Sequence, residues 1–343
     1  MQNDLFRIGV TRDVVRDDGS LIFAPVSLDA LDVPGIGWEF LDRNLRTLGP
    51  EQLRDLDGLF HFSPVVNAAS LEGVERLAVI ARHGVGVDFI DLEACTERGI
   101  AVTITPGGMA RPMASAAVAL VLALSHRLLD RERALRDGRW SEGRFAMLGQ
   151  GLTGRTLGIV GYGRIGRETA RLLRPWDLRV LVAQRSDPRD PDVAHVALDT
   201  LLAESDVVVI ACPLTPETHH LIDRERLALM KPTAALVNIA RGPIVDQVAL
   251  ADALHAGRLG GAGLDVFEVE PVEGGDPILT APNVVAAPHA LGFWDQLFRD
   301  CVAEACAVLL DVATGRVPRD VVNAAVLDSP RFRAKLERFA ARA

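Results

Sequence analysis

Arg241, Glu270 and His289 each sit in a segment punctuated by glycine or proline: Val237–Gly242, Asp265–Pro271 and Ala287–Ala290. Their types suit one reaction. A small acid whose carbonyl is reduced needs a fixed cation for its carboxylate, best supplied by the planar guanidinium fork of arginine. It also needs an acid beside the developing alkoxide, and histidine serves when a carboxylate orients its ring. Alone, each has a plain structural reading: a salt-bridged arginine, a turn carboxylate before Pro271, a satisfied histidine after Pro288. The three together point to proton and hydride chemistry.

The hydride must come from elsewhere, and Gly161-Tyr162-Gly163-Arg164-Ile165-Gly166 supplies a place for its carrier. This run follows the apolar stretch Leu157–Val160 and opens a helical pattern, Arg167–Leu173. In that setting the glycines allow a tight turn, close approach of a pyrophosphate and close helix-to-strand packing, while the helix N-terminus offers N–H groups to phosphate. An acidic residue at the end of the next strand would select NAD through its ribose hydroxyls. Gln184 stands there instead, followed by Arg185 and Ser186, a cation and a hydroxyl suited to a 2′-phosphate. The sequence therefore favours NADP, with NAD accommodated if Arg185 is only a solvated strand-end charge.

These residues need a scaffold, and alternation of short β-rich runs with helical patterns supplies it. Arg7–Val10, Gly58–Phe62, Leu77–Ile80 and Ile100–Thr103 form a first series, with helices expected near Pro50–Leu56 and Asp91–Arg98. Leu157–Val160, Arg179–Ala183, Val207–Ile210, Ala235–Asn238, Gly263–Val266 and Val284–Ala286 form a second. Such alternation predicts right-handed βαβ crossovers and two doubly wound parallel-sheet α/β domains. An alanine-rich helix, Met113–Leu124, lies between the series and a helix over Asp295–Thr314 ends them. The substrate domain is thus expected to be discontinuous, residues 1–105 with 293–343, around a dinucleotide-binding domain at 106–292.

Composition narrows the function classes. The chain has 343 residues, 49% of them hydrophobic, and a formal charge of −9. That charge gives no long-range attraction to nucleic acid or anionic lipid. The apolar run Met113–Leu124 is shorter than the roughly 20 residues that span a bilayer. Cys95, Cys212, Cys301 and Cys306 form no CxxC pair and no secretion signal precedes them, so reduced thiols in a cytoplasmic protein are expected, with no metal site.

Together the motifs resemble the D-isomer-specific 2-hydroxyacid dehydrogenase family over nearly the whole chain. They are Gly84–Asp88, the glycine-rich run at 161–166, Pro213–Thr218, Asn238–Gly242, Asp265–Pro271 and Pro288-His289, with Arg241, Glu270 and His289 spaced 29 and 19 residues apart. The resemblance implies a flavodoxin-like substrate domain, a Rossmann-like dinucleotide domain, an active site in the cleft and a homodimer built around the linking helix. It implies that Arg241 clamps the substrate carboxylate and carbonyl, that His289 is the acid/base, and that Glu270 hydrogen-bonds its ring. Val85 and Gly86 N–H groups correspond to a second carboxylate cradle. The dinucleotide would meet Gly161–Gly166, Gln184, Arg185, Ser186, Cys212, Pro213, Thr218, Ile239, Ala240, Asp265 and His289, with Asp265 near the nicotinamide amide. Glu270 would stabilise the imidazolium, so reduction should fade as base deprotonates His289 and oxidation as acid protonates it.

The chain departs from that family pattern in places that bear on substrate choice. Met109–Ser115 replaces the usual polar sequence, Ala211 replaces a histidine, and Leu291-Gly292-Phe293-Trp294 follows His289. Phe293 and Trp294 either cover the pocket and favour a bulkier substrate or pack elsewhere. Arg111 either reaches a second acidic group or is a solvated helix-start charge. Formate-oxidising relatives carry glutamine at the Glu270 position, and only 54 residues follow His289, too few for a regulatory domain. The expected activity is reduction of glyoxylate, hydroxypyruvate or a larger 2-keto acid. The alternatives are oxidation of a phosphorus oxyacid and a non-catalytic, dinucleotide-sensing corepressor-like module.

Overall fold

The computed structural model describes residues 5–342. The chain folds into two compact units, one made of residues up to Met109 with those from Trp294 onward, the other of Ala110–Phe293. The first junction lies four residues beyond the one expected from the strand pattern, and the packing explains it. Gly107 N–H donates to Glu304 at 3.2 Å, and a side chain on Gly108 would meet Cys301 Sγ at 2.6 Å. Residues 106–109 are therefore held by the returning helix.

The first unit is a five-stranded sheet in which every pairing is parallel: β1 (Phe6–Val10), β2 (Ile36–Phe40), β3 (Gly58–His61), β4 (Val79–Arg82) and β5 (Ala101–Thr103). Their order, β2-β1-β3-β4-β5, is the flavodoxin-like arrangement. Its sequence-local helices are α1 (Pro50–Leu53) and α2 (Leu92–Glu97), the latter capped by Asp91, which accepts from Ala94 N–H at 2.9 Å. Two helices from the far end of the chain complete it, and their labels follow those of the second unit.

That second unit begins with α3 (Ala110–Ser125), α4 (Leu128–Arg136) and α5 (Trp140–Phe145). Seven parallel strands follow: β6 (Thr156–Val160), β7 (Arg179–Ala183), β8 (Ala194–His195), β9 (Val207–Ile210), β10 (Ala235–Asn238), β11 (Gly261–Leu264) and β12 (Val284–Ala286). Their order, β12-β11-β10-β9-β6-β7-β8, has the Rossmann pattern with its switch point between β6 and β9. The connecting helices are α6 (Arg164–Leu173), α7 (Leu198–Glu204), α8 (Arg224–Leu229), α9 (Gln247–His255) and α10 (Pro277–Thr280). Helix α3 is apolar because it packs on β10, β11, β12 and α6. A side chain on Gly263 would meet Leu120 Cβ at 2.9 Å, so this strand needs glycine where helix and sheet touch.

Returning to the first unit, α11 (Asp295–Ala313) lays Leu297, Cys301, Val302, Ala305 and Leu309 into the core beside Phe60 and Ala81. The last helix, α12 (Pro330–Ala340), buries Phe332, Leu336 and Phe339, and Phe339 meets Phe6 edge-on at 4.9 Å. Trp294 packs partly against the same core. Among the described residues no single helix is long and apolar enough to cross a membrane.

Candidate active site

In the second unit, the strand ends bring the chemistry-bearing side chains into a connected set. Strand β10 ends at Asn238, which is fully buried; its side chain accepts from Ala240 N–H at 3.0 Å and donates to Arg241 O at 2.9 Å. This closes the Ile239–Arg241 turn. Arg241 Nη1 donates to Ala240 O at 2.8 Å. A side chain on Gly242 would overlap the Phe267 carbonyl and Glu268 N, so the Arg241 segment lies directly against the Asp265–Pro271 segment.

Glu270, on that segment, joins it to histidine. Its Oε1 accepts from Phe267 N–H at 3.0 Å and its Oε2 meets His289 Nδ1 at 2.8 Å. Burial alone would raise the Glu270 pKa, but the hydrogen bonds from His289 and Phe267 and the charge of Arg241 outweigh it and hold the carboxyl below its ordinary value. With Nδ1 engaged, Nε2 is the atom left to exchange a proton with a ligand.

His289 adopts a left-handed backbone, φ +53°, a conformation that costs a non-glycine residue on the order of 1 kcal/mol. The buried carboxylate of Asp265 braces that loop: its Oδ1 accepts from Ala290 N–H at 2.9 Å and Leu291 N–H at 3.2 Å. Burial pushes the Asp265 carboxyl up, and these two N–H donors oppose the shift. The sequence reading gave Asp265 only a cofactor contact; its visible bonds position the histidine.

The glycine-rich turn fits a dinucleotide. Gly161 has φ +92°, and a side chain there would meet Cys212 N at 2.6 Å. At Gly163, just before α6, no atom beyond its own chain neighbours lies within 4 Å of where a Cβ would stand, leaving open the face a pyrophosphate approaches. Cys212 packs partly against the core, and burial pushes its thiol up to about 11, the state of a small apolar filler. The Thr218 hydroxyl accepts from Thr215 N–H at 2.7 Å and donates to Pro213 O at 2.8 Å. It closes the Pro213–Thr218 turn.

Other residues also find their places. Val85 and Gly86 lie in the first unit on the loop after β4, braced where Gly84 N–H donates to Thr105 Oγ1 at 2.7 Å and Arg82 Nε to Gly86 O at 3.1 Å. Arg111 is paired with Glu168 at 2.5 Å, and Phe293 is half exposed. His220 pairs with Glu268 at 2.7 Å. Because His220 N–H also donates to Pro243 O at 2.8 Å, this pair ties the Arg241 segment to the Glu270 segment. No motif marked it.

A seven-stranded Rossmann sheet with a fitted phosphate turn and an Arg, Glu and His set at its strand ends defines a nicotinamide-dinucleotide oxidoreductase. The family model "D-isomer specific 2-hydroxyacid dehydrogenase, NAD binding domain" matches residues 118–290, and the chain belongs to that family. It is 41% identical over 285 residues to a glyoxylate reductase of Korarchaeum cryptofilum, covering 81% of this chain and 86% of that one. The crystal structure of the TT0316 protein from Thermus thermophilus superposes with TM-score 0.81 at 38% identity, over 92% and 99% of the two chains. An NADPH-dependent glyoxylate/hydroxypyruvate reductase of Sinorhizobium meliloti, solved with NADP and malonate, gives TM-score 0.80 at 27% identity, over 92% and 96%.

Proposed function

We propose that the protein reduces glyoxylate, hydroxypyruvate or a closely related small 2-keto acid to the D-2-hydroxy acid, preferring NADPH. The observation that carries this reading is the Glu270–His289 pair at 2.8 Å on the segment packed against Arg241. The names of the glyoxylate reductase relatives support the substrate class. A nicotinamide dinucleotide held at the Gly161–Gly166 turn would supply the hydride. Arg241 holds the substrate carboxylate through its guanidinium. His289 Nε2 gives its proton to the carbonyl oxygen as charge develops there, while Glu270 keeps Nδ1 protonated and stabilises the imidazolium.

Arg185 and Ser186, exposed beyond β7 with glutamine rather than an acid before them, support the NADP preference. Initial rates with NADPH and NADH against 2-keto acids of graded size test it: turnover of glyoxylate or hydroxypyruvate with NADPH favoured is expected. Absence of turnover with every acid, despite dinucleotide binding, would refute it.

The same reading includes a homodimer in the cytoplasm. Leu128, Leu135, Trp140, Phe145 and Leu148, on and after α4 and α5, are exposed, an apolar face of the kind a second copy covers. The four free cysteines, three of them buried, suit a reducing compartment. Sedimentation should give twice the chain mass, and Trp140→Glu with Phe145→Glu should give monomers; a monomeric wild type would refute this assembly.

A further inference from the structure

Tyr162, the chain's only tyrosine, stands between the first two glycines of the phosphate turn and is buried. Its backbone N–H donates to Gln184 Oε1 at 3.2 Å and its hydroxyl donates to Asp190 Oδ2 at 3.0 Å. Gln184 Nε2 in turn donates to Ser186 O at 2.6 Å. Asp190 Oδ1 accepts from Asp192 N–H at 3.0 Å, and Asp187 Oδ1 from Arg189 N–H at 2.9 Å. The loop after β7 is therefore fastened to the phosphate turn at both ends, with Arg185, Ser186 and Asp187 exposed between the fastenings.

A tight glycine turn does not need the hydroxyl, because an apolar ring fills the same space. The bond does something else. Asp190 is an acid in a loop that would face a doubly charged 2′-phosphate, and its two oxygens are committed to Tyr162 and to Asp192 N–H. The Arg167 guanidinium lies 5.6 Å over the Tyr162 ring, and Arg174 pairs with Asp192. Together these hold the acid at the tyrosine while leaving Arg185 exposed.

We propose that Tyr162, acting through Asp190, is a positioning residue for cofactor discrimination: it holds the loop over residues 184–190 in the shape that presents Arg185 and Ser186 to the 2′ position of the adenosine ribose. This rests on the NADP reading above. Tyr162→Phe removes only the hydroxyl, and its melting temperature reports whether the fold is kept. The ratio of kcat/KM with NADPH to that with NADH should fall about three- to tenfold, the share of a hydrogen bond to a charged group that loop order transmits. In an Asp190→Ala background the same substitution should have no further effect. An unchanged ratio, an equal loss with both cofactors, or an undiminished effect without Asp190 would overturn the proposal. Arg185→Ala tests the underlying reading separately. If the wild type prefers NADH, or the ratio ignores Arg185, that reading fails and the proposal with it; a ratio that depends on Arg185 but does not move in Tyr162→Phe overturns the tether alone.

Discussion

Replacing Glu270 by glutamine removes a charge while keeping an acceptor for His289 Nδ1. Two unit charges about 4 Å apart interact by about 1 kcal/mol in water and about 4 kcal/mol at an effective dielectric of 20. The His289 and Glu270 side chains are 44% and 37% exposed, so solvent screens them and the lower part of that range applies, about 1–2 kcal/mol. A tenfold change in a protonation equilibrium is about 1.4 kcal/mol. Losing the carboxylate removes that stabilisation from the ring as it serves the substrate oxygen, so kcat/KM for reduction should fall about five- to thirtyfold, the rate equivalent of about 1–2 kcal/mol. The assay is kcat/KM for the 2-keto acid at neutral pH, with NADPH saturating. An unchanged kcat/KM would refute the role of the pair, because geometry alone survives in the glutamine variant.

Other consequences are equally open to measurement. Arg241→Lys exchanges a planar fork for a point charge and should lower kcat/KM for the keto acid by about 10²- to 10³-fold, with the NADPH dissociation constant within twofold; a proportionate loss of NADPH binding would contradict the clamp. Gly163→Ala places a methyl where no atom beyond its own chain neighbours lies within 4 Å, so the melting temperature should hold while NADPH binding weakens at least about tenfold; unchanged binding would mean the pyrophosphate lies elsewhere. The depressed pKa of Glu270 makes its stabilising contribution present above the ordinary carboxylate value and lost as pH falls through the lower folded value. The melting difference between wild type and Glu270→Gln should therefore shrink as pH falls from 6 toward 3, and a constant difference would refute the linkage.

The sequence made both sheets legible because their central strands, such as Val207–Ile210, are buried on both faces and read as continuous apolar runs. Strand β2 escaped because Ile36–Phe40 is a half-buried edge, and β8 because two exposed residues carry no pattern. At β11 the expected span was two residues late: Gly261 looks like a breaker until Asn283 is packed against it. Arg241, Glu270 and His289 were legible through residue type, and the 2.8 Å bond joining the last two follows from their segments. The bracing by Asp265 was not, since its partners are backbone N–H groups of Ala290 and Leu291 that no side-chain pattern announces. Nor was the His220–Glu268 tie, which exists only once two loops have been brought together.

The most direct test of proton delivery at this site is single-turnover reduction of glyoxylate or hydroxypyruvate by NADPH in the wild type and in His289→Asn. The variant is expected to bind NADPH as the wild type does and to lose about 10²- to 10⁴-fold in the reduction step. A variant that reduces the keto acid at the wild-type rate would contradict proton delivery by His289 and, with it, the assignment of this site.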